Sequence, residues 1–371
     1  MKKTIKTNHG ILKTPFFMPD ATRALVKFLS PAEVSEAGIS ALVVNTLHLY
    51  LEPGLKIIKK AGGVHKFMNW DKPILSDSGG YQIFSLIHKN PKMGKITDEG
   101  ATFHSPLDGS IHKLTPEKAI QIQFDLGVDM MVCLDDCPPN DFSRPLLEKA
   151  VERTIAWAKR CKKEYDKQNK KRKLTKAKQP LIFAVIQGGA ELDLREHCTK
   201  ELIKIGFDGY GFGARHVDQA GKFLDKVLKF TADLIPNDKI KFALGVGLPE
   251  DIIRCYKMGW DIFDCVVPTR EGRHGKLFYM KSPIKRGVPV LGRGVSRVNK
   301  DSGNFYKTIN IGNSRFAADF SPINKKNSIV TLHEHSLAYL HHLFKIKDPL
   351  GARLASLNNL EFYSELMKEI K

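Results

Sequence analysis

Short apolar runs rich in β-branched and aromatic residues recur along the chain, each ending in glycine, an acid or an amide. Eight such runs stand out: FFMPDA (16–21), ALVVNT (41–46), PILSDSG (73–79), MMVCLDD (130–136), FAVIQGG (183–189), GYGFGA (209–214), FALGVG (242–247) and IFDCVVP (262–268). Nearly continuous hydrophobicity, rather than alternation, predicts parallel strands covered on both faces. Between them, LEKAVERTIAWAKRC, DLREHCTKELIKIG and GKFLDKVLKFTADLI place apolar residues at three- and four-residue spacing, as a helix lying on a sheet requires. Helix starts agree: Ser30 precedes Pro31 with Glu33 in capping-box position, and Thr115 precedes Pro116.

Eight strand–helix units predict an α/β fold, a (β/α)8 barrel, formed as one domain over residues 1–371. An open doubly wound sheet would show a G-x-G-x-x-G turn after its first strand, and FFMPDATRAL has none. Two stretches break the rhythm: 87–114 reads as turns and short strands before a helix, and 271–330 does the same after the eighth strand. Helices around LAYLHHLF and LEFYSELMKEI then complete the outer ring.

Charge adds a partner to this picture. The formal net charge of +19 favours an anionic ligand, with nucleic acid the commonest reason. Residues 159–178 hold 11 Lys/Arg against 2 acids, but they connect a helix to the next strand and so belong to the face away from an active site. They are expected to supply long-range attraction or solubility. The six cysteines lack C-x-x-C spacing, no apolar run is long enough to cross a bilayer, and the start MKKTIKTNHG has no signal-like apolar stretch, so a reducing cytoplasm without membrane contact is expected.

Chemistry in such a barrel gathers at the C-terminal ends of the strands, where Asp20, Asn45, Asp77, Asp135, Asp136, Gln187 and Asp264 fall. Alternation puts Asp264 on the same side as Ile262 and Val266, where an unpaired carboxylate is expensive. Asp77 stands at a strand mouth before Ser78, Gly79 and Gly80. Taken alone it could be turn chemistry; paired with Asp264 it suits a retaining displacement at a glycosidic bond, one carboxylate attacking and the other handling protons. Burial is expected to separate their pKa values and so their roles. Glycines at the strand mouths leave backbone free to read a flat heterocycle, Gln187 and Asp135 offer donors and acceptors, and Tyr81 offers a stacking face. PTREGRHGK presents Arg270, Arg273 and Lys276 to phosphates beside the proposed nucleophile.

With HG…TPFFMPD, NTLHLYLEPG, GGVHKFMNW, PILSDSGGYQIFSL, LTPEKAIQIQ, LDDCPP, FAVIQGG, GFDGYGFG, LGVGLPEDI, FDCVVPTREGRHG and LAYLHHLF in this order, the chain resembles the bacterial-type tRNA-guanine transglycosylases over almost its whole length. The resemblance implies exchange of guanine 34 in the anticodon stem-loop of a tRNA for a 7-deazaguanine, preQ1 or queuine, without a cofactor and with a homodimer left open. It assigns Asp264 as nucleophile of a covalent ribosyl-enzyme and Asp77 as proton acceptor and donor. Base binding would fall to Asp77, Ser78, Gly79, Gly80, Tyr81, Asp135, Gln187, Gly213, Ala214 and Leu244, the last where the family usually has Met. RNA contact would come from Gly245, Val246, Gly247, Leu248, Pro249, Glu250 and Asp251, and from Thr269, Arg270, Glu271, Gly272 and Arg273.

This chain departs from the family pattern at four places. The four zinc-ligand positions align with Asn327, Ile329, Leu332 and Asn358, so a degenerate zinc-type subdomain without metal is expected at about 295–360. His333, His335, His341 and His342 are read as surface or capping residues. The G-G-L-A-V base loop is Gly213, Ala214, Arg215, His216, Val217 here; LRPG is LEPG at Glu52; FMPVGT is FMPDAT with Asp20. Two other functions stay open: a catalytically inactive tRNA-binding partner subunit, and a transglycosylase acting elsewhere in RNA or in DNA.

Overall fold

The structure, a computed structural model, describes residues 3–139, 142–281, 305–325 and 329–371. All eight apolar runs form strands of one parallel sheet: β1 (Phe16–Pro19), β2 (Leu42–Asn45), β3 (Ile74–Asp77), β4 (Met130–Val132), β5 (Leu181–Ile186), β6 (Gly209–Phe212), β7 (Ile240–Ala243) and β8 (Ile262–Cys265). They neighbour one another in chain order from β2 to β8, and β8 pairs with β1. A parallel bridge between Asp20 and Val43, with Ala21 N donating to Val43 O at 2.7 Å, joins β1 to β2 and completes the ring. This is the predicted (β/α)8 architecture.

Alternation divides each strand between two apolar layers. Phe16, Met18, Val43, Leu75, Val185 and Phe242 point into the barrel, while Phe17, Val44, Ile74, Ala184 and Ala243 join the layer beneath the helices. An N-terminal hairpin, Thr4–Thr7 against Gly10–Lys13, adds Ile5 and Leu12 to the interior cluster and closes the floor. A ligand therefore has access from the C-terminal end of the strands. The expected caps form: Ser30 Oγ accepts from Glu33 N while Ser30 N donates to Glu33 Oε2 at 2.9 Å, and Thr115 Oγ1 accepts from Lys118 N.

The first irregular stretch takes the expected form, as do the described residues of the second; 282–304 and 326–328 lie outside the described residues. The first contains a three-stranded antiparallel sheet, Gly94–Thr97, Gly100–His104 and Ile111–Leu114, ahead of a helix over Pro116–Leu126. In the second, Lys276–Met280 pairs antiparallel with Tyr306–Asn310, and the chain ends in helices Leu337–Lys345 and Pro349–Glu369. The last helix packs on a short helix, Val267–Arg273, that follows β8 directly. Asn359 ties them: its Nδ2 donates to Pro268 O at 2.9 Å while Oδ1 accepts from Phe278 N at 2.9 Å.

Of the four positions aligned with zinc ligands, Asn327 lies outside the described residues. Ile329 and Leu332 are fully buried in the core with Leu337 and Leu340. Asn358 donates to Phe278 O at 3.1 Å and accepts from Asn324 Nδ2 at 3.0 Å. Apolar packing and amide hydrogen bonds thus occupy three of these positions.

Candidate active site

Asp77 ends β3 directly opposite Asn45 on β2. Its carboxylate accepts from Asn45 Nδ2 at 2.7 Å, Thr46 N at 3.1 Å, Gly79 N at 3.1 Å and Gln82 Nε2 at 3.4 Å. Gly79 is required there: its φ is +75°, and a Cβ would lie 2.9 Å from Leu47 N. Gly80 then starts the helix Gly80–Lys89, with Ser78 Oγ accepting from its N–H at 3.3 Å. Tyr81, in the first turn, is 56% exposed on the cavity rim, where a ring is free to stack on a ligand.

Asp264 projects from β8 into the same cavity, on the Ile262 side as alternation predicts, and accepts from Gly245 N at 2.9 Å. Burial pushes it up to about 7, opposed by the Gly245 N–H and assisted by the charge of Asp20. Burial also pushes Asp77 up to about 7, against hydrogen bonds from Thr46 and Gly79 and with help from Asp20 and Asp264. Burial thus raises both carboxyls rather than one, because one desolvated mouth and one neighbouring acid act on both, and the Asp264 charge adds to the rise of Asp77. Hydrogen bonding distinguishes them further: among the described residues Asp77 is held by four donors and Asp264 by a single backbone N–H.

Across the barrel, Gln187 Nε2 donates to Asp135 at 2.6 Å, and both residues are buried. Among the described residues Gln187 Oε1 has no hydrogen-bond partner, which leaves a buried acceptor unsatisfied behind Asp135. Burial pushes Asp135 up to about 7 in spite of the Gln187 donor. Gly213 makes room for this pair, since a Cβ there would lie 2.5 Å from Gln187 Nε2. Asp136 turns away and pairs with Arg153. The cavity between these walls measures about 490 Å³, within the range of small-ligand sites, and Val43, Leu75, Phe242 and Leu244 give it an apolar floor.

A family model described as queuine tRNA-ribosyltransferase matches residues 3–371. The chain belongs to the queuine tRNA-ribosyltransferase family. Curated relatives of that name include proteins from Caldanaerobacter subterraneus subsp. tengcongensis (40% identical over 368 residues), Psychrobacter cryohalolentis (39% over 368) and Staphylococcus aureus (39% over 367). Each alignment covers 99% of this chain and 87 or 88% of the relative. The protein is thus a pentosyltransferase of the tRNA-modifying kind, on a TIM-barrel scaffold.

In this ribosyltransferase the two segments expected to contact RNA are unevenly exposed. Val246, Gly247, Pro249, Glu250 and Asp251 are buried, Glu250 accepting from Tyr306 Oη at 2.6 Å, while Gly245 is exposed and Leu248 half-buried. In the second segment Thr269 and Gly272 are buried; a Cβ on Gly272 would lie 2.8 Å from the Ser356 backbone. Arg270 is exposed and lines the cavity, beside Glu271 at 3.3 Å, and burial lowers the pKa of half-buried Arg273. The 159–178 run ends the helix Arg144–Lys171 and leads into the start of β5, on the far face as expected.

Ala214 has φ +75°, a strained value for a side-chain-bearing residue, where the family pattern has Gly. Its neighbours Arg215 and His216 also line the cavity, and burial together with Arg215 pushes His216 down to about 4. A hollow of about 350 Å³ shares Tyr81, Cys137, Ala214 and Arg215 with the main cavity and reaches His88 and Lys89. Glu52 pairs with Arg23 at 3.6 Å on the surface.

Among the described residues the one grouping with metal-like spacing is His9, His65 and Asp129 below the barrel; its atoms bond each other, Asp129 accepting from His9 Nδ1 at 2.9 Å and contacting His65 Nε2 at 3.1 Å. His341 instead bonds Ile311 O at 2.7 Å. Arg195 is a functional support missing from the sequence reading. It is fully buried and donates to Gly189 O at 2.7 Å, Ile186 O at 3.3 Å and Gly213 O at 3.0 Å, stapling the mouths of β5 and β6. Its signal was an arginine on the buried face of the helix Leu192–Ile205, beside Leu194, Cys198 and Leu202.

Proposed function

We infer that the chain exchanges guanine at anticodon position 34 of tRNA for a 7-deazaguanine, preQ1 or queuine, through a covalent Asp264–ribose intermediate. The observation that carries this reading is that Asp77 and Asp264 line one cavity together with Asp135, which Gln187 holds from behind by a hydrogen bond at 2.6 Å. In the first half-reaction Asp264 Oδ attacks C1′ of the ribose as the bond to guanine breaks, and protonated Asp77 gives its proton to the departing base. In the second, the incoming base loses its N9 proton to the Asp77 carboxylate and attacks C1′, releasing Asp264. Charges balance over the cycle, and Asp77 ends as it began.

A group near pH 7 is matched to giving and taking a proton, and Asp264 must be ionised when Asp77 is not; the Asp264 charge favours that division by raising Asp77. The Asp135 carboxyl, held from behind by Gln187, supplies a complementary group for the edge of the base. Tyr81 covers one face, and the adjoining hollow gives room for a substituent on the incoming base. Arg270, at the rim beside Asp264, is suited to a phosphate of the RNA backbone. An inactive tRNA-binding subunit would have no need to keep two costly carboxylates desolvated in one mouth.

Incubating the protein with bulk tRNA and labelled guanine tests the reading: label should enter tRNA at position 34, and unlabelled preQ1 or queuine should chase it out. Asp264→Asn should bind tRNA and trap no covalent adduct. Label at another position, or an adduct formed by Asp264→Asn, would overturn the assignment.

A further inference from the structure

Besides Asp77, Asp264 and Asp135, a fourth carboxylate lines the cavity. Asp20 follows β1, and register fixes its position: Met18 is opposite Asp264, and Asp20 stands two residues further toward the mouth, roughly 7 Å along the strand on the same inward side. Val43 of β2 is its other neighbour. Asp135 and Gln187 come from the β4 and β5 ends, across the ring. A base held there, with its C1′ at Asp264, has its sugar on the β8–β1 side, next to Asp20.

The charge of Asp20 is felt by Arg273 and His48 without an ion pair to either. Its Oδ1 accepts from Thr22 N at 2.6 Å and from Thr22 Oγ1, while Oδ2 takes no hydrogen bond, and Asp20 forms no ion pair, among the described residues. Its charge works against ionisation of both Asp77 and Asp264, a standing disadvantage in the free enzyme. Contact with a donor that strengthens as positive charge develops on the sugar would reverse that disadvantage during reaction. In glycosyl transfer such a donor is the hydroxyl next to the anomeric carbon.

We propose that Asp20 accepts a hydrogen bond from the 2′-hydroxyl of the target ribose, which makes it a determinant of RNA over DNA and a stabiliser of the oxocarbenium-like transition state. This rests on the base-exchange reading above. The 2′-hydroxyl is both the sugar hydroxyl nearest C1′ and the group by which a site tells RNA from DNA.

The test compares wild type, Asp20→Asn and Asp20→Val on two anticodon stem-loop RNAs, one with guanosine and one with 2′-deoxyguanosine at the target position, by kcat/KM for guanine incorporation. Wild type should prefer the ribo substrate by roughly 10- to 100-fold, the span of one charge-assisted hydrogen bond. Asp20→Val should lose that factor, so that its rates on the ribo and deoxy substrates converge, and its exchange on the deoxy substrate shows that it is folded. Asp20→Asn, still an acceptor but uncharged, should fall between. A ribo preference that survives in both variants overturns the proposal while leaving base exchange intact; a wild type that incorporates guanine into neither RNA overturns base exchange, and the proposal with it.

Discussion

Asn45 and Asp77 face each other across the β2–β3 ladder, and Asn45 Nδ2 donates to the Asp77 carboxylate at 2.7 Å while its own Oδ1 accepts from His48 N at 2.9 Å. The amide is thereby locked in the orientation that favours the ionised form of Asp77. Burial nonetheless prevails and carries Asp77 to about 7. Removing the donor by Asn45→Ala should raise it further, because the carboxylate alone loses a partner. The limb of the exchange pH profile governed by Asp77 should move to higher pH, with about a tenfold loss at pH 7, the lower end for a hydrogen bond to a charged group. An unmoved profile with the same loss would mean that Asn45 acts only as a helix cap.

Asp264 links function to stability with a definite sign. Its unfolded pKa is the ordinary carboxylate value of about 4, and its folded value is about 7. Between these the folded state retains a proton that the unfolded state has lost, so this group's stabilising contribution is complete below pH 4 and disappears as pH rises through 7. Asp264→Asn keeps the shape and removes the titration. The variant should melt with the wild type at pH 4 and above it at pH 8, by an amount on the order of 2 to 4 kcal/mol, while exchange is abolished. Equal melting temperatures at pH 8 would show that Asp264 is not held protonated by its surroundings.

The barrel was legible because its strands are buried on both faces, and a run such as ALVVN or FAVIQ has no other economical reading. Asp77 and Asp264 were legible for the converse reason, a carboxylate being exceptional in an apolar run. Period arguments end where strands end. Nothing local distinguishes buried Glu250 in GLPED from a solvated acid; its partner, the Tyr306 hydroxyl, comes from 56 residues away. Likewise Arg195 is set by three carbonyls that only the folding of two strand mouths onto one helix brings together, and the rise of both Asp77 and Asp264 comes from a shared cavity that no linear pattern displays.

Position on the barrel should separate the two basic regions. Arg270 lies at the rim beside the proposed nucleophile, whereas Lys170, Lys171 and Lys173 lie near the start of β5. Arg172 is already engaged, with Asp125 at 2.6 Å. Replacing Arg270 by Gln should weaken anticodon stem-loop binding by roughly 1 to 3 kcal/mol. Neutralising the three lysines should mainly flatten the salt dependence of association. Equal effects of the two sets on exchange at fixed salt would show that the RNA reaches the far face.

Metal is where the chain differs most from the family it belongs to. A structural zinc needs a closed set of four nitrogen or sulfur ligands, and its binding energy becomes folding energy for the segment that supplies them. Of the positions aligned with such ligands, Ile329 and Leu332 carry aliphatic side chains, fully buried against the core that contains Leu337 and Leu340, and Asn358 bonds Phe278 O and Asn324. Burial of the two aliphatic side chains is worth roughly 1.5 to 3 kcal/mol each, so apolar packing stands in the place of coordination. Elemental analysis of the purified protein should find far less than one zinc per chain, and a chelator should leave melting temperature and exchange activity unchanged. Ile329→Ala, by contrast, should lower stability by about 2 to 5 kcal/mol through the cavity it opens, with no rescue by added zinc. Stoichiometric zinc, or a melting temperature that falls with chelator, would show that other side chains of this region have built a metal site of their own.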